Sequence, residues 1–128
     1  MKLRDAVEAD AGRLASMTDA PRDVMRNLIH DRTVRIAEND GDIAGFVSFD
    51  AREQTVYVTQ IEGGSGVYHR LLEEPTRFAR TEGMDVELFT LDSDESLQDA
   101  VGEAGFERVG PGPTFEGEAT TRYRLEPE

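Results

Sequence analysis

The chain contains no cysteine, which removes disulfides, thiolate metal sites and a cysteine nucleophile together. Histidine is scarce: His30 and His69 are the only two, too few for a histidine-rich zinc centre, so no metal site is expected. Lysine occurs once, at Lys2, and the rest of the 14 basic residues are arginine. No apolar run reaches the roughly 18 residues of a membrane span. The opening Met1-Lys2-Leu3-Arg4-Asp5 lacks the apolar segment of a secretion signal. A membrane partner is therefore not expected, and the cytoplasm is the expected compartment.

What is abundant is negative charge. Asp and Glu number 27 against 14 Lys and Arg, a formal net charge of −13. Phosphate contacts need a basic patch, so nucleic-acid binding is disfavoured. The acidic residues run along the whole chain, which describes a solvated acidic shell. Such a shell suits a protein of a high-salt organism, where screening removes most of the self-repulsion. An ordinary acidic protein is the other reading. With 128 residues and neither an internal repeat nor a long linker, residues 1–128 form one domain.

The most informative stretch is Gln54 to Glu82. Thr55-Val56-Tyr57-Val58-Thr59-Gln60-Ile61 is β-branched and aromatic and reads as a strand. After Glu62 come Gly63-Gly64-Ser65-Gly66, and then Val67, Leu71, Pro75 and Phe78 recur at helical spacing beside Leu72 and Ala79. A glycine turn therefore joins a strand to a helix N-terminus. Free backbone N–H groups and the helix dipole make such a turn attractive to a phosphate or pyrophosphate. A P-loop is excluded because no Lys is present, and His69 stands where a dinucleotide fingerprint needs a small residue. A glycine turn without a ligand is the plainer alternative.

Around this stretch the periodicities predict an edge strand over 2–6, a helix over 8–18 and a helix opening at Pro21 whose apolar face is Val24, Met25, Leu28 and Ile29. A strand over 32–38, an Asn39-Asp40-Gly41 hairpin and a return strand over 43–49 follow, with a second turn at 50–53. Pro75 predicts a kink and Gly83 a helix end. A strand over 85–91 leads to a helix capped by Asp92 and Glu95, with Leu97, Ala100, Val101 and Ala104 on its apolar face. Phe106 to Val109 is a short strand, Gly110-Pro111-Gly112-Pro113 a loop, and Thr120 to Leu125 the last strand. The order β-α-α-β-β-β-α-β-α-β-β contains one β-α-β crossover, so 55–61 and 85–91 should be parallel neighbours.

This order, the Gly64-Ser65-Gly66 turn after the fourth strand and Ala104-Gly105-Phe106-Glu107 after the fourth helix resemble the GNAT family of acyl-CoA-dependent N-acetyltransferases, as from a halophilic archaeon. The resemblance spans nearly the whole chain. It implies an α+β, or mixed α/β, domain: a mostly antiparallel sheet with a central parallel pair and helices on both faces. It implies acetyl-CoA as co-substrate, with Gly63, Gly64, Ser65, Gly66, Val67 and Tyr68 at the pyrophosphate and the pantetheine arm along Tyr57, Val58 and Thr59. The implied activity moves an acetyl group to the amine of a small molecule or peptide. Glu87 is the candidate base and the Val58 backbone N–H the candidate oxyanion donor; a homodimer stays open. The chain departs from the family pattern at Gly63 (usually Arg or Gln), Tyr68 (usually Gly or Ala), Asp94 (frequently Asn) and Val101 (often the Tyr that protonates the thiolate). Tyr57, Tyr68, Tyr123 and His69 are the other groups able to carry a proton. The alternative reading is a GNAT-like domain without catalysis, binding acyl-CoA or another ligand or acting as an interaction module.

Overall fold

The structure is a computed structural model and describes residues 1–127, the side chain of Ser65 excepted. Strand β1 (Lys2–Asp5) and a 3-10 turn (Glu8–Asp10) lead into α1 (Ala11–Thr18) and α2 (Arg22–Asp31). Then come β2 (Thr33–Asn39), β3 (Asp42–Arg52), β4 (Thr55–Gly63), α3 (Ser65–Glu82), β5 (Asp85–Leu91), α4 (Glu95–Glu103), β6 (Glu107–Pro111) and β7 (Thr120–Leu125). The seven strands form one sheet in the order β1-β2-β3-β4-β5-β7-β6. Only β4 and β5 run parallel; the other neighbours are antiparallel. This is the architecture that the crossover argument predicts.

Each face of the sheet has its own core. Leu14 and Met25, from α1 and α2, pack on Val34, Ile36 and Phe46. On the other face Leu71, Leu72 and Ala79 of α3 and Leu97 and Val101 of α4 pack on Val47, Val56, Val86 and Leu88. Helices thus lie on both faces. Among the described residues, no helix is long and apolar enough to cross a membrane.

Several local expectations shift. The second hairpin turns at Glu53 and Gln54, both at positive φ (49° and 70°), so β3 runs through Asp50–Arg52, where a turn is expected. Pro21 is the N-cap of α2 rather than its first residue, and Val24 is exposed. Helix α4 is capped by Asp94, whose carboxylate accepts from Leu97 N–H at 3.1 Å. Asp92 instead accepts from the Thr121 hydroxyl at 2.6 Å. Pro111 ends β6 instead of opening a loop; it is tolerated because β6 is an edge strand with a bulge between Arg108 and Gly110. Helix α3 is continuous through Pro75, which is fully buried. Phe78 is 39% exposed and leans on Phe49, ring centroids 5.9 Å apart, so it flanks the core instead of entering it. Gly83 (φ 70°) caps α3 as expected, with Met84 N–H donating to Ala79 C=O at 2.8 Å.

Asp10 anchors the start of the chain. Its carboxylate takes two hydrogen bonds from Arg4 (2.9 and 3.0 Å) and one from Val7 N–H (2.8 Å). The Arg4 hydrogen bond, opposed by burial, holds the Asp10 carboxyl below its ordinary value. A depressed folded-state value stabilises above the ordinary carboxylate range, about pH 4, and that contribution disappears as pH falls through the folded value. Asp10→Asn should lower the melting temperature at pH 7 and flatten the acid limb of a pH–stability curve. An unchanged acid limb would count against this role.

Candidate active site

The sheet opens at its centre. Strands β4 and β5 pair through Thr55–Asp85, Val56–Val86 and Tyr57–Glu87, and the parallel ladder ends there although β4 continues to Gly63 and β5 to Leu91. A cause lies on the other side of β4. Its pairing with β3 steps from Ser48–Gln60 to Phe49–Val58, so Thr59 is an inserted residue. Such a bulge bends and twists the strand that carries it. The Thr59 hydroxyl shares a 2.6 Å hydrogen bond with Ser48, which fixes the bulge on β3. Val58 is the first β4 residue beyond the ladder, and from here a main-chain edge faces the opening.

At the end of β4 the glycines do different jobs. Gly63 sits at φ 147°, and a Cβ there would meet Ala44 C=O at 3.0 Å and Gly45 Cα at 3.2 Å. That is why the arginine or glutamine of the resembled motif is absent: this backbone admits only glycine. Gly64 is the N-cap of α3 (φ −75°, ψ 162°), and α3 begins with Ser65. Gly66 is helical, not left-handed, and open space lies above both Gly64 and Gly66. Val67 is buried, and its N–H is already given to Gly64 C=O at 3.0 Å, so it leaves the expected donor set. The N–H groups of Ser65 and Gly66, first in the helix, remain as donors without an intrahelical acceptor. Ser65's side chain lies outside the described residues.

Tyr68 does not swing clear of this region. Its residue is only 9% exposed and belongs to the core between α3 and the sheet. Burial first, then the charges of Asp94 and Glu62, push its phenol up, so it stays protonated. The ring thus packs in the core beneath α3, within range of the Asp94 and Glu62 charges.

Glu87 is buried and committed. Arg124 Nη1 donates to its Oε2 at 2.6 Å, and Arg122 Nη1 lies 3.6 Å from its Oε1. Arg124 also holds Asp85 at 2.6 Å. A carboxylate engaged by two guanidiniums is part of an ion-pair lattice and is poorly placed to take a proton from a substrate. The sequence offers no warning of this, because the pairing of β5 with β7 is what brings the arginines alongside. Glu62 is the acid that sequence reasoning passes over. It is half-buried at the end of β4 and pairs across the sheet with Phe46, whose side chain faces α1 and α2. Burial raises its carboxyl, with Asp94 adding to the effect and Gln60 opposing it. The available signal was its place in the chain: a carboxylate between an apolar strand and the glycine turn.

The remaining candidates separate. Tyr57 is half-buried with the Arg52 guanidinium 4.9 Å from its ring centroid, and lies beside Glu87 in the last ladder pair. His69 is exposed and bonds Glu103 of α4 at 2.8 Å. Tyr123 packs against the core. Val101 is fully buried, so nothing at that position delivers a proton. Among the described residues, no cluster of His, Cys, Asp and Glu is arranged to hold a metal ion.

No protein-family model and no curated protein matches the chain. Solved structures do. A Salmonella typhimurium protein assigned as an acetyltransferase and solved with its cofactor acetyl-CoA superposes with a TM-score of 0.85 at 16% identity, covering 100% of this chain and 94% of that one. A ribosomal-protein-alanine N-acetyltransferase from Brucella melitensis gives 0.83 at 16% identity, over 98% and 99% of the two chains. A structure from Desulfovibrio desulfuricans, assigned to the GNAT family of acetyltransferases, gives 0.75 at 22% identity over 98% of both. The chain has the GNAT fold.

Proposed function

We propose, from that fold and the opening in its sheet, that the protein is an acyl-CoA-dependent N-acyltransferase acting on an amine of a small molecule or peptide. The observation that carries this reading is the parallel ladder that stops after three pairs, leaving the rest of β4 unpaired with β5 up to an uncrowded glycine turn at a helix N-terminus. Bound acetyl-CoA would supply the acyl group already activated as a thioester. The residues present fit it. Ser65 and Gly66 offer backbone donors to its pyrophosphate, and the free edge of β4 from Val58 offers main-chain hydrogen bonds to its amide-bearing arm, as an added strand would receive.

Two roles follow for this chain's own groups. The Val58 N–H stands where the ladder opens and is the donor for charge developing on the acyl oxygen. Glu62, on the face toward α1 and α2 and with a raised carboxyl, takes the proton that the amine loses, in place of Glu87. An acidic surface also favours a cationic amine as acceptor. The acidic shell supports a cytoplasmic protein of a high-salt cell.

The second reading, binding without transfer, is favoured by the buried Tyr68 ring beside the glycine turn and by Val101. Calorimetric titration of acetyl-CoA in molar KCl decides first whether the ligand binds. Gly66→Leu should fold normally, because nothing crowds Gly66, yet lose binding by on the order of 100-fold as its side chain covers the donors. With binding established, Glu62→Gln should keep the affinity and lose acetylation of test amines by about 100-fold or more. Full activity of Glu62→Gln would remove it as the base. Binding without turnover in the parent protein would select the second reading.

A further inference from the structure

Half of the sheet has no helix over one of its faces. Helices α1 and α2 pack on residues of β2 and β3, and the core they form takes in nothing from β5, β6 or β7. On β5, Leu88 lies in the core under α3 and α4, so Phe89, next along the strand, turns to the opposite, uncovered face. It is 43% exposed although β5 has a neighbour on each side. The register sets Phe89, Arg122 of β7 and Gly110 of β6 in one row across the sheet. Gly110 adds no side chain to the row, and a Cβ there would meet nothing within 4 Å. The Gly112 backbone lies against the Phe89 ring, where a Cβ would meet Cδ1 at 2.5 Å, so the loop after β6 steadies the ring without covering it.

Arg122 is the charged member of this row. Its side chain is 45% exposed, and its Nη1 stands 3.6 Å from Glu87 Oε1, too long for a hydrogen bond. Arg124 takes the other Glu87 oxygen at 2.6 Å and Asp85 at 2.6 Å, so these two acids are already served. A loosely paired guanidinium beside an open ring, with empty space at Gly110 on its other flank, suits an anionic group carried by an apolar body. Phe89 lies two residues past Glu87, the last β5 residue in the ladder with β4. It shares its sheet face with Glu62, whose partner Phe46 faces α1 and α2. Strand β7 is two places from β4, roughly 10 Å at the usual strand spacing. A molecule whose amine meets Glu62 therefore reaches Arg122 only with a group several carbons away.

Resting on the N-acyltransferase reading above, we propose that the acceptor is a primary amine with an apolar stretch that lies on Phe89 and an anionic far end held by Arg122. Arg122 is then the residue that sets specificity: it favours amino acids with a distant carboxylate and rejects diamines, against the general pull of the acidic surface.

The test compares three amines of nearly equal length, ε-aminocaproate, hexylamine and hexamethylenediamine, as acceptors from acetyl-CoA in molar KCl. The proteins are the parent, Arg122→Gln, Arg122→Lys and Phe89→Ala, each with a melting curve. In the parent, kcat/KM for ε-aminocaproate should exceed that for hexylamine about tenfold, the worth of one charge-assisted hydrogen bond, with the diamine poorest. Arg122→Gln should remove that preference, and Arg122→Lys, which keeps the charge, should retain the order. Phe89→Ala should raise KM for ε-aminocaproate and hexylamine alike. Acetylation of hexylamine or the diamine as fast as ε-aminocaproate by the parent would overturn this inference and leave acyl transfer standing, whether or not the variants fold. An undiminished preference in folded Arg122→Gln would also overturn it, as would an unchanged KM in Phe89→Ala. Acetylation of none of the three would overturn both readings.

Discussion

Glu74→Ala is expected to destabilise the protein by about 3 kcal/mol or more, the range for breaking a buried ion pair by removing one partner. Glu74 lies on α3 with its side chain 3% exposed. Arg35 of β2 donates to Oε1 at 2.6 Å, and Arg77, one turn along α3, meets Oε2 at 2.9 Å. Without Glu74, Arg35 keeps only Asp5, whose side chain is 80% exposed and strongly solvated. The half-buried guanidinium would then be nearly uncompensated. The loss should be seen as a lower midpoint in urea at fixed KCl. Adding Arg35→Met should recover part of it, since an apolar pair replaces an ionic one at little net cost. A loss under about 1 kcal/mol would mean that this pair behaves like an exposed one.

Raising KCl from millimolar to molar should lift the melting temperature by on the order of 10 °C, the shift that a few kcal/mol produces in a domain of this size. At −13 the carboxylates repel one another across the surface, and the Debye length contracts from about 30 Å at 0.01 M to about 3 Å at 1 M. Screening also weakens attractive pairs. Those most exposed to salt contribute little to begin with: Arg13 and Asp42 meet at 3.5 Å with side chains 57% and 85% exposed. The pairs that matter, at Glu74, Glu87 and Asp10, are buried enough to resist it. Repulsion therefore loses more than attraction does. A melting temperature that stays flat or falls would contradict the high-salt reading.

Element order and the parallel pair were legible because they rest on periodicity and crossover chemistry, which are local. Val56, Val86 and Leu88 declare a buried strand wherever they are read, and Gly83 declares a helix end. The misses lie where one choice depends on a distant residue. Asp92 and Asp94 have equal claim to a cap until Thr121 takes Asp92. Asp50 to Glu53 reads as a turn until the longer pairing of β3 with β4 draws Arg52 into the sheet opposite Thr55. In the site, the glycine turn was readable, but the fate of single side chains was not. Tyr68 could equally have pointed outward, and Glu87 became part of an ion-pair lattice only because β7 lays Arg122 and Arg124 beside it. Glu62 was missed for the opposite reason: a glutamate next to glycines looks solvated, and only the sheet shows it half covered.

The place of β7 has a consequence for how the protein is made. This strand lies between β5 and β6, not at the rim. A ribosome that has not yet reached Thr120 holds a chain in which the first four strands can already pair in sequence, while β5 has one unfilled edge and β6 has no neighbour at all. The hydrogen bonds of β5 and the counter-charges of Glu87 and Asp85 arrive together, with the final residues of the sheet. Until then two unpaired carboxylates and a bare strand edge wait in the open, where another chain could capture them. The C-terminal half of the sheet therefore closes only once β7 is available.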